Sequence, residues 1–494
     1  MTSSAGDGGV LGGEPAGQQT GHFKRALGLF DAVAVVVGSM IGSGIFIVSA
    51  ETARHVGGAG MLLACWLLAG ILTIVAALCY SELASMFPKA GGQYVFLREA
   101  YGPLAGFLYG WTLFAVIQSG TIAAVGVGFA KFLGVFVPSI SNQNILIQLG
   151  NWKLTVLQLI SVVLIAFLTM LNCRGIQTAK TIQSTFTTTK VLALAGLIIL
   201  GLFSVNKFHG AEVNFANFWQ AQDVKGNVLT GLALILAVGG AMVGPLFSCD
   251  AWNNITFAGE EVKDAESILP RSLAIGTLAV IVIYLLANVV YLLLLPLHGD
   301  PNGTTVVARG IQYAAEDRVG TAAAEIIFGP AGVWIMAGAI MISTFGCLNG
   351  LILAGARVYY AMARDGLFFH KAGNLDPQTN VPVFGLIIQG IWSAFLATSG
   401  TYSNLLDYVV FAALAFYVLT VGAVLILRKQ QPDTPRPYKV PLYPILPILY
   451  VVTAVAVMAA QVFSSPIYSG AGLLIIASGL PAFFIWRSKQ KAAS

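Results

Sequence analysis

Residues 33–50 form an apolar run whose middle carries five small residues, Gly38, Ser39, Gly42, Ser43 and Gly44. Glycine costs about 1 kcal/mol per helix position relative to alanine, and an unpaired backbone amide in hydrocarbon costs several more. A segment that merely spans a bilayer has no use for such a cluster, whereas a helix broken at a cavity does. The N–H groups opening the second half-helix would then be open donors with the positive end of a helix dipole behind them, which suits a carboxylate. The carbonyls closing the first half-helix suit a cation, so one unwound segment can address both charges of an amino acid. Close packing is the competing reading, because small residues at intervals also let membrane helices touch. Five of them within a single stretch this short exceed such a seam.

The whole chain supports a membrane setting. Of its 494 residues, 57% are hydrophobic and 10% charged, far from a soluble composition. A transmembrane helix needs about 20 apolar residues, and twelve stretches qualify or nearly so, the first at 27–50 and the last at 468–486. Most lysines and arginines fall in segments that are internal if the N-terminus is inside, which predicts both termini in the cytoplasm and a multi-pass protein of the plasma (cytoplasmic) membrane. This bias accounts for the net charge of +5 without a nucleic-acid partner. Residues 1–22 are rich in glycine and polar groups and read as a disordered cytoplasmic tail. Cys65, Cys79, Cys173, Cys249 and Cys347 all lie in or at the ends of spans, so no extracellular disulfide is expected.

A second anomaly falls in residues 229–259, where Gly239, Gly240, Gly244 and Pro245 interrupt an apolar run and Asp250, Trp252, Asn253 and Asn254 follow at membrane depth. This predicts a second break near Gly244. Each break opens a group of five predicted spans, and five being odd, the second group is inserted upside down. Paired interruptions at matching places in two halves point to an inverted-repeat transporter with its substrate at the bilayer midplane. The expected organisation is a first five-helix repeat over 23–205, an outer loop and second repeat over 206–427, and a linker with two further helices over 428–494. Lys190, inside the fifth span, costs about 2.5–3.5 kcal/mol to insert, so it either snorkels to the inner interface or meets an acceptor beside the first break. Asp250 either recognises a basic or amino group or caps amides of the second break. The 299–321 loop is long enough to act as a lid.

Ser43 in an IGSG string has the look of a serine nucleophile, but Ile41 stands where the first glycine of such a pattern belongs. His22, His55, His209, His298 and His370 all fall outside the predicted spans, which leaves no histidine base for it and argues against an enzyme.

GSMIGSGIF at 38–46, PKAGGQYVFLREAYG at 88–102, FSCDAWNNITFAGEEVKD at 247–264 and RVYYAMARDG at 357–366 resemble the amino acid-polyamine-organocation superfamily, and within it the L-type amino acid transporter branch and its bacterial relatives. The resemblance implies an all-α membrane fold of twelve helices, a LeuT-like five-plus-five inverted repeat with broken first and sixth helices and two appended. It implies a sodium-independent exchanger of neutral L-amino acids working by alternating access, with proton-coupled uptake of cationic amino acids or polyamines, and an amino acid sensor, as alternatives. The substrate carboxylate is expected at the amides around Gly42, Ser43 and Gly44. The amino group is expected at carbonyls near Met40 or Ile41 and near Phe247 and Ser248, with Phe247 as an aromatic gate. Lys190 matches a fifth-helix lysine that replaces a sodium ion, and no metal or cofactor is expected. Animal members carry a cysteine between the third and fourth helices that bonds a glycoprotein heavy chain; the 138–153 loop here has none, so a stand-alone transporter is expected.

Overall fold

The computed structural model describes residue 23 and residues 25–150, 152–400 and 402–493, with side chains described in all of these except 176–184, 205 and 489–493. The tail predicted over 1–22 lies outside the described residues. The molecule is all-helical apart from one short antiparallel hairpin, β1 (Ile145–Leu149) with β2 (Trp152–Thr155). Among the described residues, nine helices are long and apolar enough to cross a membrane, or ten if the bent pair at the start of the chain is one span. Val156–Asn172 and Val383–Ala397 are apolar but shorter.

That bent pair is the feature expected from the glycine cluster. Helix α1 (Leu29–Met40) stops, residues 41–43 are non-helical, and α2 (Gly44–Val56) resumes at 40° to it. Gly57 ends α2 in a left-handed conformation, φ 50°, where a Cβ would sit 2.2 Å from the Gln222 carbonyl oxygen, so no side chain fits. His55, expected outside the first span, sits instead in the last turn of α2.

Helix α1 packs against three long helices, Ala265–Leu294, Ile176–Phe203 and Pro330–Arg364. Close approach to the first depends on Gly276, whose added Cβ would lie 2.5 Å from Val36. Helix α3 (Ala59–Met86) lies along that same Ala265–Leu294 helix, so both breaks are embedded in one continuous apolar core. The third expected span, Pro103–Phe136, contains a π-helical turn at Leu113–Ile117 just before Gln118, a distortion that often marks a functional position.

The second break is displaced from its predicted place. Gly231–Ala241 and Val243–Ser248 continue each other as one helical span, with Gly239, Gly240, Gly244 and Pro245 inside it. The chain opens instead at residues 249–253, where Ala251 has a left-handed φ of 65°, and a single turn, Asn254–Phe257, resumes afterwards. The glycines serve contact: a Cβ would meet Ala460 at 2.5 Å from Gly239, the His55 ring at 3.0 Å from Gly240, and Val48 at 2.7 Å from Gly244.

Ion pairs fasten the connections between helices. Glu82, 1% exposed, takes Arg428 at 2.6 Å and Arg436 at 3.5 Å, and accepts the Val440 N–H at 2.8 Å. Arg357 and Glu261 form a buried bidentate pair. The Glu261 carbonyl accepts the Ala26 and Leu27 N–H groups, which ties the chain entering α1 to the loop after the second break.

Candidate functional site

The two breaks face each other across one contact. A Cβ on Gly44 would lie 2.3 Å from Ser248 Oγ and 3.3 Å from Ser248 Cα, so the start of α2 abuts the end of the Val243–Ser248 helix with room for a hydrogen atom only. Every residue of the first break is buried: Met40, Ile41, Gly42, Ser43 and Gly44. The N–H groups of Gly42, Ser43, Gly44 and Ile45 donate to no acceptor among the described residues. Four open donors at a helix start, with its dipole behind them, form a cradle for an anion.

The carbonyls that end α1 are already engaged. Lys190 Nζ donates to the Gly38 oxygen at 2.7 Å and the Ile41 oxygen at 2.8 Å. Cys347 Sγ donates to the Ser39 oxygen at 3.1 Å, Tyr284 Oη to the Met40 oxygen at 2.9 Å, and Ser343 Oγ to the Ile41 oxygen at 3.3 Å. Lys190 is 1% exposed, so it does not snorkel; its ammonium sits where the negative end of the α1 dipole is concentrated. With two donors each carbonyl oxygen is full, so Ile41 has no lone pair left for a ligand, whereas Met40 keeps one.

At the second break, Ser248 Oγ donates to the Gly244 oxygen at 2.9 Å and the Asp250 N–H donates to the Phe247 oxygen at 3.2 Å. Asp250 accepts the Tyr417 hydroxyl. It pairs with no lysine, arginine or histidine among the described residues. Tyr80 packs edge to face on Trp252 and on Tyr417, and Trp252 lies tilted on Tyr417, with ring centroids 4.7–5.9 Å apart. A narrow polar pocket opens from Asp250 between the Pro103–Phe136 helix and Tyr417, lined also by Tyr109, Gln118, Thr121 and Asn254. In it the Tyr109 hydroxyl and the Asn254 amide nitrogen have no hydrogen-bond partner among the described residues. Asn253 donates to Gln93 at 3.1 Å, and Gln93 to Thr420 at 3.0 Å, which holds the turn to the Tyr402–Gln430 helix.

The structure thus brings Met40 to Gly44, Lys190, Phe247, Ser248 and Asp250 to one locus, and adds residues the sequence did not reveal. Tyr402 places its hydroxyl 3.0 Å from Ser43 Oγ and its ring edge-on to Phe247, centroids 6.2 Å apart. Tyr284, Cys347 and Tyr417 complete the walls. An aromatic at the end of a span reads as an interfacial anchor, and that masked Tyr402.

Two discontinuous helices, meeting inside a helical membrane protein with a buried lysine on the carbonyl end of one of them, define a membrane carrier. The chain belongs to the amino acid permease family, whose profile matches residues 27–482, and within the amino acid-polyamine-organocation superfamily to the L-type branch. It is 30% identical to the human Large neutral amino acids transporter small subunit 2, over 95% of this chain and 82% of that protein. It is also 30% identical to the Serine/threonine exchanger SteT of Bacillus subtilis, over 95% of this chain and 98% of that one. Against the human Asc-type amino acid transporter 1 the identity is 29%, over 97% of this chain and 86% of that protein.

Proposed function

We propose that the protein exchanges neutral L-amino acids across the plasma membrane by alternating access, without sodium. The observation that carries this reading is the meeting of the two breaks at Gly44 and Ser248 with the open N–H groups of residues 42–45 beside it. The substrate carboxylate takes those amides. Its ammonium takes the remaining lone pair of the Met40 oxygen and the carbonyls of Phe247 and Ser248, under the Phe247 ring. Lys190 fills the place of a coupling cation, since a fixed ammonium and a sodium ion repel strongly in so small and dry a site. The names of the relatives, large neutral amino acids, serine and threonine, support the neutral class.

In this reading Val156–Asn172 and Val383–Ala397 complete twelve membrane helices, arranged as five plus five inverted repeats over 23–205 and 206–427 with two more over 428–494, and both termini are cytoplasmic. The lack of a cysteine in the 138–153 loop supports a carrier without a disulfide-linked partner. A second reading, proton-coupled uptake of cationic substrates, is favoured by one observation, the absence of a basic partner for Asp250 among the described residues.

The test is exchange in proteoliposomes. External labelled serine or leucine should enter only when the lumen holds unlabelled amino acid, at equal rates in sodium and choline buffers. Uptake into empty vesicles, or collapse in choline, would overturn the reading.

A further inference from the structure

The loop before residue 319 makes a set of contacts that no transport step above uses. Glu316 and Asp317 adopt successive left-handed conformations, φ 54° and 60°, which are unfavourable for residues with a side chain and persist only where surroundings impose them. What imposes them is charge. Asp317 accepts Arg54 of α2 at 2.7 Å and lies 3.9 Å from Lys131 of the Pro103–Phe136 helix. Arg54 also donates to the Gln312 carbonyl at 2.6 Å, and Gln312 donates back to the Ala53 carbonyl at 3.2 Å. Lys131 donates to the Glu316 carbonyl at 3.4 Å, and Arg318 to the Lys131 carbonyl at 3.0 Å. The loop is therefore clasped to the far end of the second half-helix and to a different long helix at once.

Lys131 connects this clasp to the break. It is 9% exposed, and its ammonium lies 5.6 Å from the centroid of the Tyr402 ring, a cation held over an aromatic face. One turn earlier on the same helix, Gly128 allows Ser43 to approach: a Cβ there would sit 2.5 Å from Ser43 Oγ and 3.5 Å from the Tyr402 ring. Tyr402 closes the sequence of contacts with its hydroxyl 3.0 Å from Ser43 Oγ, next to the open amides. Asp317, Lys131, Tyr402 and Ser43 form one continuous path from the loop to the anion cradle.

We propose that Tyr402 is a positioning residue for the substrate carboxylate, and that the Arg54–Asp317–Lys131 cluster is the outer latch that sets it there when the loop closes. With the latch made, Lys131 fixes the Tyr402 ring and the hydroxyl donates into the cradle. With the latch open, α2 and the Pro103–Phe136 helix lose their common anchor, the ring is released and the carboxylate loses one donor. The inference rests on the exchange reading above and adds to it the residues that link outer closure to grip on substrate.

The test is a double-mutant cycle in proteoliposomes, with exchange of labelled serine as readout. Tyr402→Phe, which keeps the ring over Phe247 and under Lys131, should raise the half-saturating serine concentration about tenfold, the worth of one hydrogen bond to a charged group, with the maximal rate within about twofold. Asp317→Asn should raise half-saturation by about threefold in the unaltered background and leave it unchanged when Phe replaces Tyr402. Where Phe replaces Tyr402, Asp317→Asn should still lower the melting temperature without serine while leaving half-saturation unchanged, which a purely structural role for either residue would not predict. Half-saturation unmoved by Tyr402→Phe, or effects of the two substitutions that simply multiply, would overturn the proposal. Loss of serine exchange in the unaltered protein would instead overturn the functional reading beneath it.

Discussion

Lys190 Nζ donates to the Ile41 carbonyl oxygen at 2.8 Å, joining the Ile176–Phe203 helix to the point where α1 stops. The same ammonium holds the Gly38 carbonyl, so a single charge satisfies acceptors one turn apart that the break leaves without intrahelical partners. Removing it leaves the Gly38 oxygen buried and unpaired, at about 1–3 kcal/mol, and leaves the Ile41 oxygen with the Ser343 hydroxyl at 3.3 Å alone. Lys190→Met should therefore reduce exchange at least tenfold while the protein still inserts and purifies. Exchange that survives this change would show that the break does not depend on a fixed cation. Sodium should not rescue the variant, because the methionine side chain fills the space beside the vacated carbonyls; a comparison of sodium and choline buffers checks that.

Gly44 is constrained by contact with Ser248. A methyl group there would stand 2.3 Å from Ser248 Oγ and 3.3 Å from the Ser248 backbone, and the hydroxyl alone cannot relieve the second contact. Gly44→Ala should part the breaks and cut exchange at least tenfold, and Gly44→Val should abolish it. Gly196→Ala is the control: nothing lies within 4 Å of its added carbon, and alanine favours a helix over glycine by about 1 kcal/mol. It should leave exchange unchanged. Equal activity of Gly44→Ala and Gly196→Ala, measured in the same vesicles, would remove the case for a site at the breaks.

These two positions also show what a sequence can disclose about such a fold. The first break was readable because Gly38, Ser39, Gly42, Ser43 and Gly44 crowd a stretch where helix propensity and hydrocarbon both argue against them. The second was located several residues too early for a related reason. Gly239, Gly240 and Gly244 signal close approach as readily as unwinding, and here they admit Ala460, His55 and Val48. The true opening at 249–253 was marked by Asp250, Trp252 and Asn253, polar and bulky groups at bilayer depth. Lys190 was legible because an ammonium in a span must find acceptors. Tyr402, Tyr284 and Asp317 were not, since their meaning lies in partners hundreds of residues away that only the folded chain brings near.

Asp250 separates the two coupling schemes. Its carboxylate holds the Tyr417 hydroxyl, which an asparagine oxygen can also accept. If Asp250 only caps the turn, exchange in the unaltered protein should stay flat from about pH 5 to 8, and Asp250→Asn should keep most of it. A proton-coupled carrier would instead run faster as external pH falls, and the asparagine variant would lose that slope. Initial rates of serine uptake across this range, for both proteins, decide between them.

Glu82 governs stability rather than transport. It is 1% exposed, it receives Arg428 through two hydrogen bonds of 2.8 and 2.6 Å, and Arg436 at its other side is 6% exposed. The Val440 N–H adds a third donor at 2.8 Å, so this one carboxylate fastens the 431–444 linker to the C-terminal end of α3. Taking the charge away leaves Arg436 buried without its counter-ion, whereas Arg428, 21% exposed and stacked on the Tyr443 ring at 3.9 Å, still reaches water. The cost should therefore fall near the lower end of the range for breaking a buried pair, about 3 kcal/mol. Glu82→Gln should lower the melting temperature in detergent by several degrees, with the half-saturating serine concentration unchanged because neither break is touched. An unaltered melting temperature would mean that the linker is held by its apolar contacts, and a shifted half-saturation would mean that the linker reaches the site.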